Sequence, residues 1–177
     1  MFFLMGFTKD VVISPADLNK DLKKIIKVKL IEQVTGTCNE RYGYYIKVIN
    51  IGEIKNGFIM DGTGDIIFKM KYQVVLLRPF KGEVCDGVIE KILDKEGGIH
   101  VRVGPMLVYI SNEEIPPNYK LDEKSNVYVN CKDENDILKE GEQVRFKYKE
   151  IQFSESEFKP IGTMKDHYLG HIQYIHY

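Results

Sequence analysis

Leu77-Arg78-Pro79-Phe80-Lys81-Gly82-Glu83-Val84 is the stretch that decides the fold of this 177-residue chain. Before it, Tyr72 to Leu77 is a run of β-branched and aliphatic residues; after it, a strand pattern restarts at Glu83. Proline has no amide hydrogen for a ladder bond, so a strand ends or lies at an edge at Pro79. The chain therefore divides into two strand-rich halves, residues 1–79 and 80–177.

Working outward toward the N-terminus, Ile66 to Leu77 reads as a strand, as do Phe58 to Met60 and Tyr44 to Ile54. Between the first two lies Asp61-Gly62-Thr63-Gly64-Asp65, a tight turn whose glycines permit positive φ. Residues 2–13 form another strand. Ser14 as N-cap, Pro15 at the first helical position and Asp17 in the first turn predict a helix running to about Gln33. Leu18, Leu22, Ile25, Ile26 and Leu30 share one face of it, and Lys20, Lys23, Lys24 and Lys27 the other. That lysine row reads as a solvated face, and Gly36 breaks the helix. The first half is a βα unit followed by an antiparallel meander.

Toward the C-terminus the expected strands are 83–92, 98–103, 106–111, 143–152 and 158–163. Residues 112–142 read as irregular and acidic, with Pro116-Pro117 and a helical turn over Asp136 to Lys139. Five short strands with one long insertion suit a small OB-type barrel.

Composition is that of a globular protein, with 44% hydrophobic and 29% charged residues. No apolar run approaches the roughly 20 residues that span a bilayer, so no membrane partner is expected. The apolar start, Met1 to Met5, reads as a strand rather than a signal peptide. Cys38, Cys85 and Cys131 are too few and too far apart for a disulfide framework or a zinc pattern, which points to a reducing compartment. Residues 1–79 hold 12 Lys/Arg against 8 Asp/Glu, and residues 80–177 hold 13 against 18. Neither half carries the basic surplus of a stand-alone nucleic-acid binder.

No catalytic constellation emerges. His167 and His171 are four apart but lack a third ligand, so a surface or terminal pair is expected rather than a zinc site. Gly62-Thr63-Gly64 lacks the lysine and following helix of a phosphate loop. Asp133, Glu134 and Asp136 lack the calcium-loop pattern and read as a hydrated loop. No metal and no cofactor are expected.

Chemistry of another kind lies on the barrel strands. OB folds commonly bind nucleic acid with their second and third strands. Alternation along Ile99 to Val103 turns Val101 and Val103 inward and His100 and Arg102 outward. In Leu107 to Ser111 it turns Val108 and Ile110 inward and Tyr109 outward. His100, Arg102 and Tyr109 then share an exposed face, with Lys91 on the preceding strand as a fourth member. Rings stack on unpaired bases and a guanidinium neutralises phosphate, a combination suited to single-stranded RNA. The alternative is that Tyr109 packs on a neighbouring domain and Arg102 pairs with a carboxylate. Arg145, Lys147 and Lys149 alternate with Val144, Phe146 and Tyr148 and read as a solvated basic face.

An ordered series of pieces covers nearly the whole length. It runs Met1-Phe2-Phe3, Val34-Thr35-Gly36-Thr37-Cys38, Tyr42-Gly43, Lys71-Tyr72 and Arg78-Pro79-Phe80-Lys81-Gly82-Glu83-Val84. It continues with Gly104-Pro105-Met106, Ile110-Ser111, Ile115-Pro116 and Met164-Lys165-Asp166-His167-Tyr168-Leu169-Gly170. In this order the pieces resemble the larger subunit of the dissociable two-subunit stalk of eukaryotic RNA polymerase II. Archaeal and polymerase I or III counterparts share the architecture, but the Arg-Pro-Phe-Lys-Gly-Glu and Gly-Pro-Met pieces look most like the polymerase II version.

The resemblance implies a fold and a function. Residues 1–79 would be an α+β, ribonucleoprotein-like tip domain that docks on the polymerase core. Residues 80–177 would be an all-β OB-fold barrel facing nascent single-stranded RNA during transcription initiation and elongation. A smaller stalk subunit would complete a heterodimer in the nucleus, and the chain would have no active site of its own. The turn Gly57 to Gly64 matches the docking loop, with Phe58 and Ile59 as apolar anchors and Gly57, Gly62, Thr63 and Gly64 shaping the backbone. Arg78, Pro79 and Phe80 would form the inter-domain joint. Departures are His100 and Tyr109 where phenylalanine is frequent, Met60-Asp61 where a proline precedes the glycine, and the segment 112–142. Two other readings remain beside it: a free-standing OB-fold protein that binds single-stranded RNA, and the equivalent stalk subunit of another polymerase. An enzyme ranks last.

Overall fold

The structure is a computed structural model that describes residues 1–18, 21–93, 97–122, 125–133 and 135–174. It comprises two compact units, Met1–Arg78 and Pro79–Tyr177.

The first unit is an antiparallel sheet with one helix on it. Its elements in chain order are β1 (Phe2–Ile13), α1 (Leu22–Val34), β2 (Cys38–Asn39), β3 (Gly43–Ile51), β4 (Phe58–Ile59) and β5 (Ile66–Leu77). The sheet order is β1-β5-β3-β2, with β4 paired to β5. β1 and β5 pair along their whole length, from Phe2 opposite Leu77 to Ile13 opposite Ile66. Period-2 alternation sends Phe68, Met70, Tyr72, Val74 and Leu76 to one face. There they meet Ile26, Leu30 and Val34 of α1, and Val11 and Ile13 of β1. Phe7 adds aromatic edges to this core, 5.0 Å from the Tyr42 ring and 5.5 Å from that of Tyr45.

The helix begins later than its capping signals indicate. Pro15–Asp17 form a single 3-10 turn, Ser14 makes no side-chain cap, and Leu18 leaves helical geometry at ψ 52°. The α-helix starts only at Leu22. Leu18 is 43% exposed and stays outside the core. Ser-Pro and an acidic first turn fit a 3-10 turn as well as an α-helix, and burial of Ile26, Leu30 and Val34 decides where the helix forms. Lys20 lies outside the described residues.

The second unit is built on a closed barrel. Its strands are β6 (Val84–Ile92), β7 (Gly98–Val103), β8 (Met106–Ser111), β9 (Tyr119–Asp122), β10 (Val127–Asn130), β11 (Ile137–Leu138), β12 (Gln143–Ser154), β13 (Glu157–Thr163) and β14 (Gly170–His171). The order β13-β8-β7-β6-β12 closes through a β12–β13 pairing, with β14 added outside β12. β8 and β13 run parallel and the remaining barrel pairs antiparallel. This is a five-stranded OB-type barrel after an α+β unit, the fold class that the sequence implies. β12 closes it by length: Gln143–Lys147 pair β6, and Lys147–Ser154 pair β13. A bulge between Tyr148 and Glu150 lets it turn that corner. Ile89, Ile99, Val101, Met106, Val108, Ile110, Val144, Phe146 and Tyr148 fill the interior.

Residues 112–142 are not irregular throughout. β11, β10 and β9 form a separate three-stranded sheet, and the expected helical turn at Asp136–Lys139 is instead strand β11. Its charged surface hid the alternation, but Tyr128 and Leu138 are wholly buried. The Tyr128 hydroxyl also accepts a bond from the Gly98 amide of the barrel at 3.1 Å. Tertiary burial organises this segment where local propensity does not.

Candidate functional site

Three strands bring the expected RNA-facing residues together. β6, β7 and β8 place Lys91 opposite His100 and His100 opposite Tyr109, so the three form a row across the sheet. A bulge between Ile89 and Lys91 sets the register of that row. His100 and Tyr109 meet edge to face, ring centroids 5.8 Å apart at 77°. Both are half-buried, and Lys91 and Arg102 are exposed. The Tyr109 hydroxyl donates to the Gly97 carbonyl at 2.9 Å, which holds the ring against the sheet.

Arg102 lies two residues from His100 and points to the same face. Its guanidinium bonds Glu90 at 2.5 Å. The hydrogen bond from Arg102 holds the Glu90 carboxyl below the usual carboxylate range. Any phosphate at Arg102 therefore competes with Glu90. The second basic stripe is neutralised in the same way: Arg145 binds Asp86 through two bonds of 2.7 and 2.9 Å, Lys147 binds Asp166 at 2.8 Å, and Lys149 binds Glu114 at 2.6 Å. That stripe is a network of surface ion pairs, which sequence alternation alone could not reveal.

The turn after β4 offers a different surface. Phe58 and Ile59 are 73% and 70% exposed. Adjacent strand residues point to opposite faces, so exposure of both means that β4 packs on neither side. Met60 donates to Asp65 at 2.7 Å and Gly64 to Met60 at 3.1 Å, which closes the turn. Gly62 and Gly64 have φ of +91° and +74°, and Thr63 Oγ1 accepts from the Asp65 amide at 3.3 Å. Gly57 is required by space: a Cβ there would lie 2.5 Å from Ile66 Cγ2. The result is a hydrogen-bonded turn bearing two exposed apolar side chains.

At the joint, Arg78 belongs to the first unit, where its amide donates to Met1 O at 3.1 Å and its guanidinium to Arg41 O at 2.6 Å. Pro79 opens the second unit, and Phe80 follows in a turn with Glu83, whose amide donates to Phe80 O at 3.1 Å.

His171 is not a surface residue. It is 5% exposed, and its Nδ1 lies 3.0 Å from Asp136 Oδ1. Asp136 Oδ2 accepts from Asn130 at 2.8 Å and Tyr119 at 2.5 Å. This buried network, missed in the sequence, ties β14 to the small sheet; His167 is exposed. Asp133 Oδ1 accepts from the Asn135 amide at 3.0 Å, and Glu134 lies outside the described residues. Among the described residues no three His, Cys, Asp or Glu side chains are grouped to hold a metal.

Comparison with known proteins places this architecture. Residues 8–64 match the SHS2 domain found in the N terminus of Rpb7p/Rpc25p/MJ0397. The chain is 33% identical to DNA-directed RNA polymerase II subunit rpb7 of Schizosaccharomyces pombe, covering 96% of this chain and 98% of the relative. It is 30% identical to the RPB7 subunit of Saccharomyces cerevisiae, over 97% of this chain and all of that one. DNA-directed RNA polymerase V subunit 7 of Arabidopsis thaliana is 28% identical over 84% of each. The two units, in this order and over this length, show that the chain belongs to the Rpb7 family of RNA polymerase II subunits.

Proposed function

We propose that this chain is the larger stalk subunit of RNA polymerase II, an accessory subunit with no active site of its own that works in the nucleus. The reading rests on 33% identity across nearly the full length to an RNA polymerase II subunit. The first unit is the docking domain, and the turn Gly57 to Gly64 is its contact with the core. Phe58 and Ile59 support this, because exposed apolar side chains on a hydrogen-bonded turn offer anchors that a pocket in a partner can bury. The smaller stalk subunit covers apolar surface on β1. That edge strand has a neighbour on one side only and leaves Phe2, Leu4 and Met5 65%, 59% and 40% exposed. The second unit is the RNA-facing barrel, and Lys91, His100, Arg102 and Tyr109 contact emerging single-stranded RNA.

Affinity purification of the tagged chain tests this. The large polymerase subunits and a smaller partner are expected to co-purify, and Phe58→Ser with Ile59→Ser should cut polymerase recovery at least about tenfold, as loss of a hot spot does. A chain recovered alone sinks the proposal and favours a free-standing RNA-binding protein. Tyr109→Ala with Arg102→Ala should weaken RNA binding roughly fivefold or more. Unchanged binding would remove this face from the reading.

A further inference from the structure

The segment Met164 to Gly170 closes the motif series, with His171 directly after it, but has no part in the function above. Met164 is wholly buried and anchors the segment by donating to Glu114 O at 2.9 Å. His171 fixes the other end in the buried network with Asp136. Between these anchors the Leu169 amide donates to Asp166 O at 3.3 Å, making a turn. Tyr168 occupies its third position at φ +63°. Glycine is favoured there, and a tyrosine costs about 1–2 kcal/mol in that conformation. The ring buries little in return, being 62% exposed. It lines a cleft of about 300 Å³ together with Asn118, Lys165, His167 and the buried Asn130, Asp136 and His171.

Each wall offers different chemistry. Asp136 already accepts from Tyr119 and Asn130 and faces His171, so the floor is rigid and its carboxylate occupied. The half-buried side chain of Asn118 and the side chains of Lys165, His167 and Tyr168 make no hydrogen bond among the described residues. A free amide reads the edge of a planar base, an exposed ring stacks on its face, and the Lys165 ammonium meets phosphate, while the Asp166 carboxylate in the same lining is held by Lys147 at 2.8 Å. The volume is at the lower end of the roughly 300–1,000 Å³ of small-molecule clefts, enough for one nucleotide.

We propose that this cleft is a second RNA contact of the barrel, which takes a single unstacked nucleotide with its base on Tyr168. The inference rests on the RNA-facing reading of the barrel and adds a site remote in sequence from the His100–Tyr109 face. The test uses the full chain and a short single-stranded RNA carrying 4-thiouridine, photocrosslinked and mapped by mass spectrometry. Crosslinks are expected in residues 164–171 as well as 98–111. Tyr168→Gly suits the backbone, so the fold should be retained or strengthened. RNA affinity should nevertheless fall roughly 5- to 150-fold, the loss of one stacked base. Crosslinks in 98–111 alone, with wild-type affinity in Tyr168→Gly, overturn the inference and leave the RNA-facing reading standing. Crosslinks in neither segment overturn both. A Tyr168→Gly chain that keeps RNA but no longer co-purifies with its protein partners assigns the loop to a protein contact and likewise overturns the inference.

Discussion

Two residues show how closely local backbone serves the barrel. Gly98 opens β7 at φ +119°, and a Cβ there would lie 2.4 Å from Ile110 O. Strain and overpacking add, so Gly98→Ala should cost at least about 2 kcal/mol, measurable as a lowered urea midpoint for the barrel. Asp86 gives a pH dependence. The hydrogen bond from Arg145 holds its carboxyl below the usual range against the opposing effect of burial. A carboxyl depressed in the folded state stabilises above its unfolded pKa, and that stabilisation is lost as pH falls through the folded value. The side chains of Arg145 and Asp86 are 24% and 49% exposed, so screening keeps the effect under about 1 kcal/mol. Asp86→Asn should therefore destabilise modestly at neutral pH, and the difference from wild type should vanish only as pH falls through the depressed folded value, below the ordinary carboxylate range, as read by denaturation across pH.

At the scale of elements, α1 and β12 divide the labour. α1 holds the first unit through Ile26, Leu30 and Val34, each no more than 2% exposed. Leu30→Ala removes a wholly buried side chain and should cost about 2–5 kcal/mol. Amide exchange in β1 and β5 should rise, while the barrel strands keep their protection. The apolar spacing of this helix was legible in the sequence, and its start was not. Ser14-Pro15 carries a local turn signal, whereas the α-helix begins where the sheet offers a face to bury. The small sheet of β9 to β11 escaped for a related reason. Its strands are four residues or fewer, and what makes them strands is burial of Tyr128 and Leu138.

For the whole molecule, each unit has its own core and its own face. Arg78 is tied into the first unit and Phe80 into a turn of the second, so the break falls at Pro79. We propose that this joint sets the inter-domain angle. Pro79→Gly with Phe80→Ala should leave the exchange protection of both units intact and change the solution scattering profile. An identical profile would reduce the joint to a linker.

The sequence by itself determined the strand-rich character of the chain, the barrel strands and the family. Alternation, turn chemistry and ordered motifs are properties of neighbouring residues, so they are written in the chain. His100 beside Tyr109 was also legible, because strand period and a short β7–β8 turn leave little freedom. Only the tertiary structure decided which charges are spent on one another. Arg102 with Glu90, Arg145 with Asp86 and His171 with Asp136 are 12, 59 and 35 residues apart in the chain. No local pattern encodes such pairs, since barrel closure and strand register bring them within bonding distance.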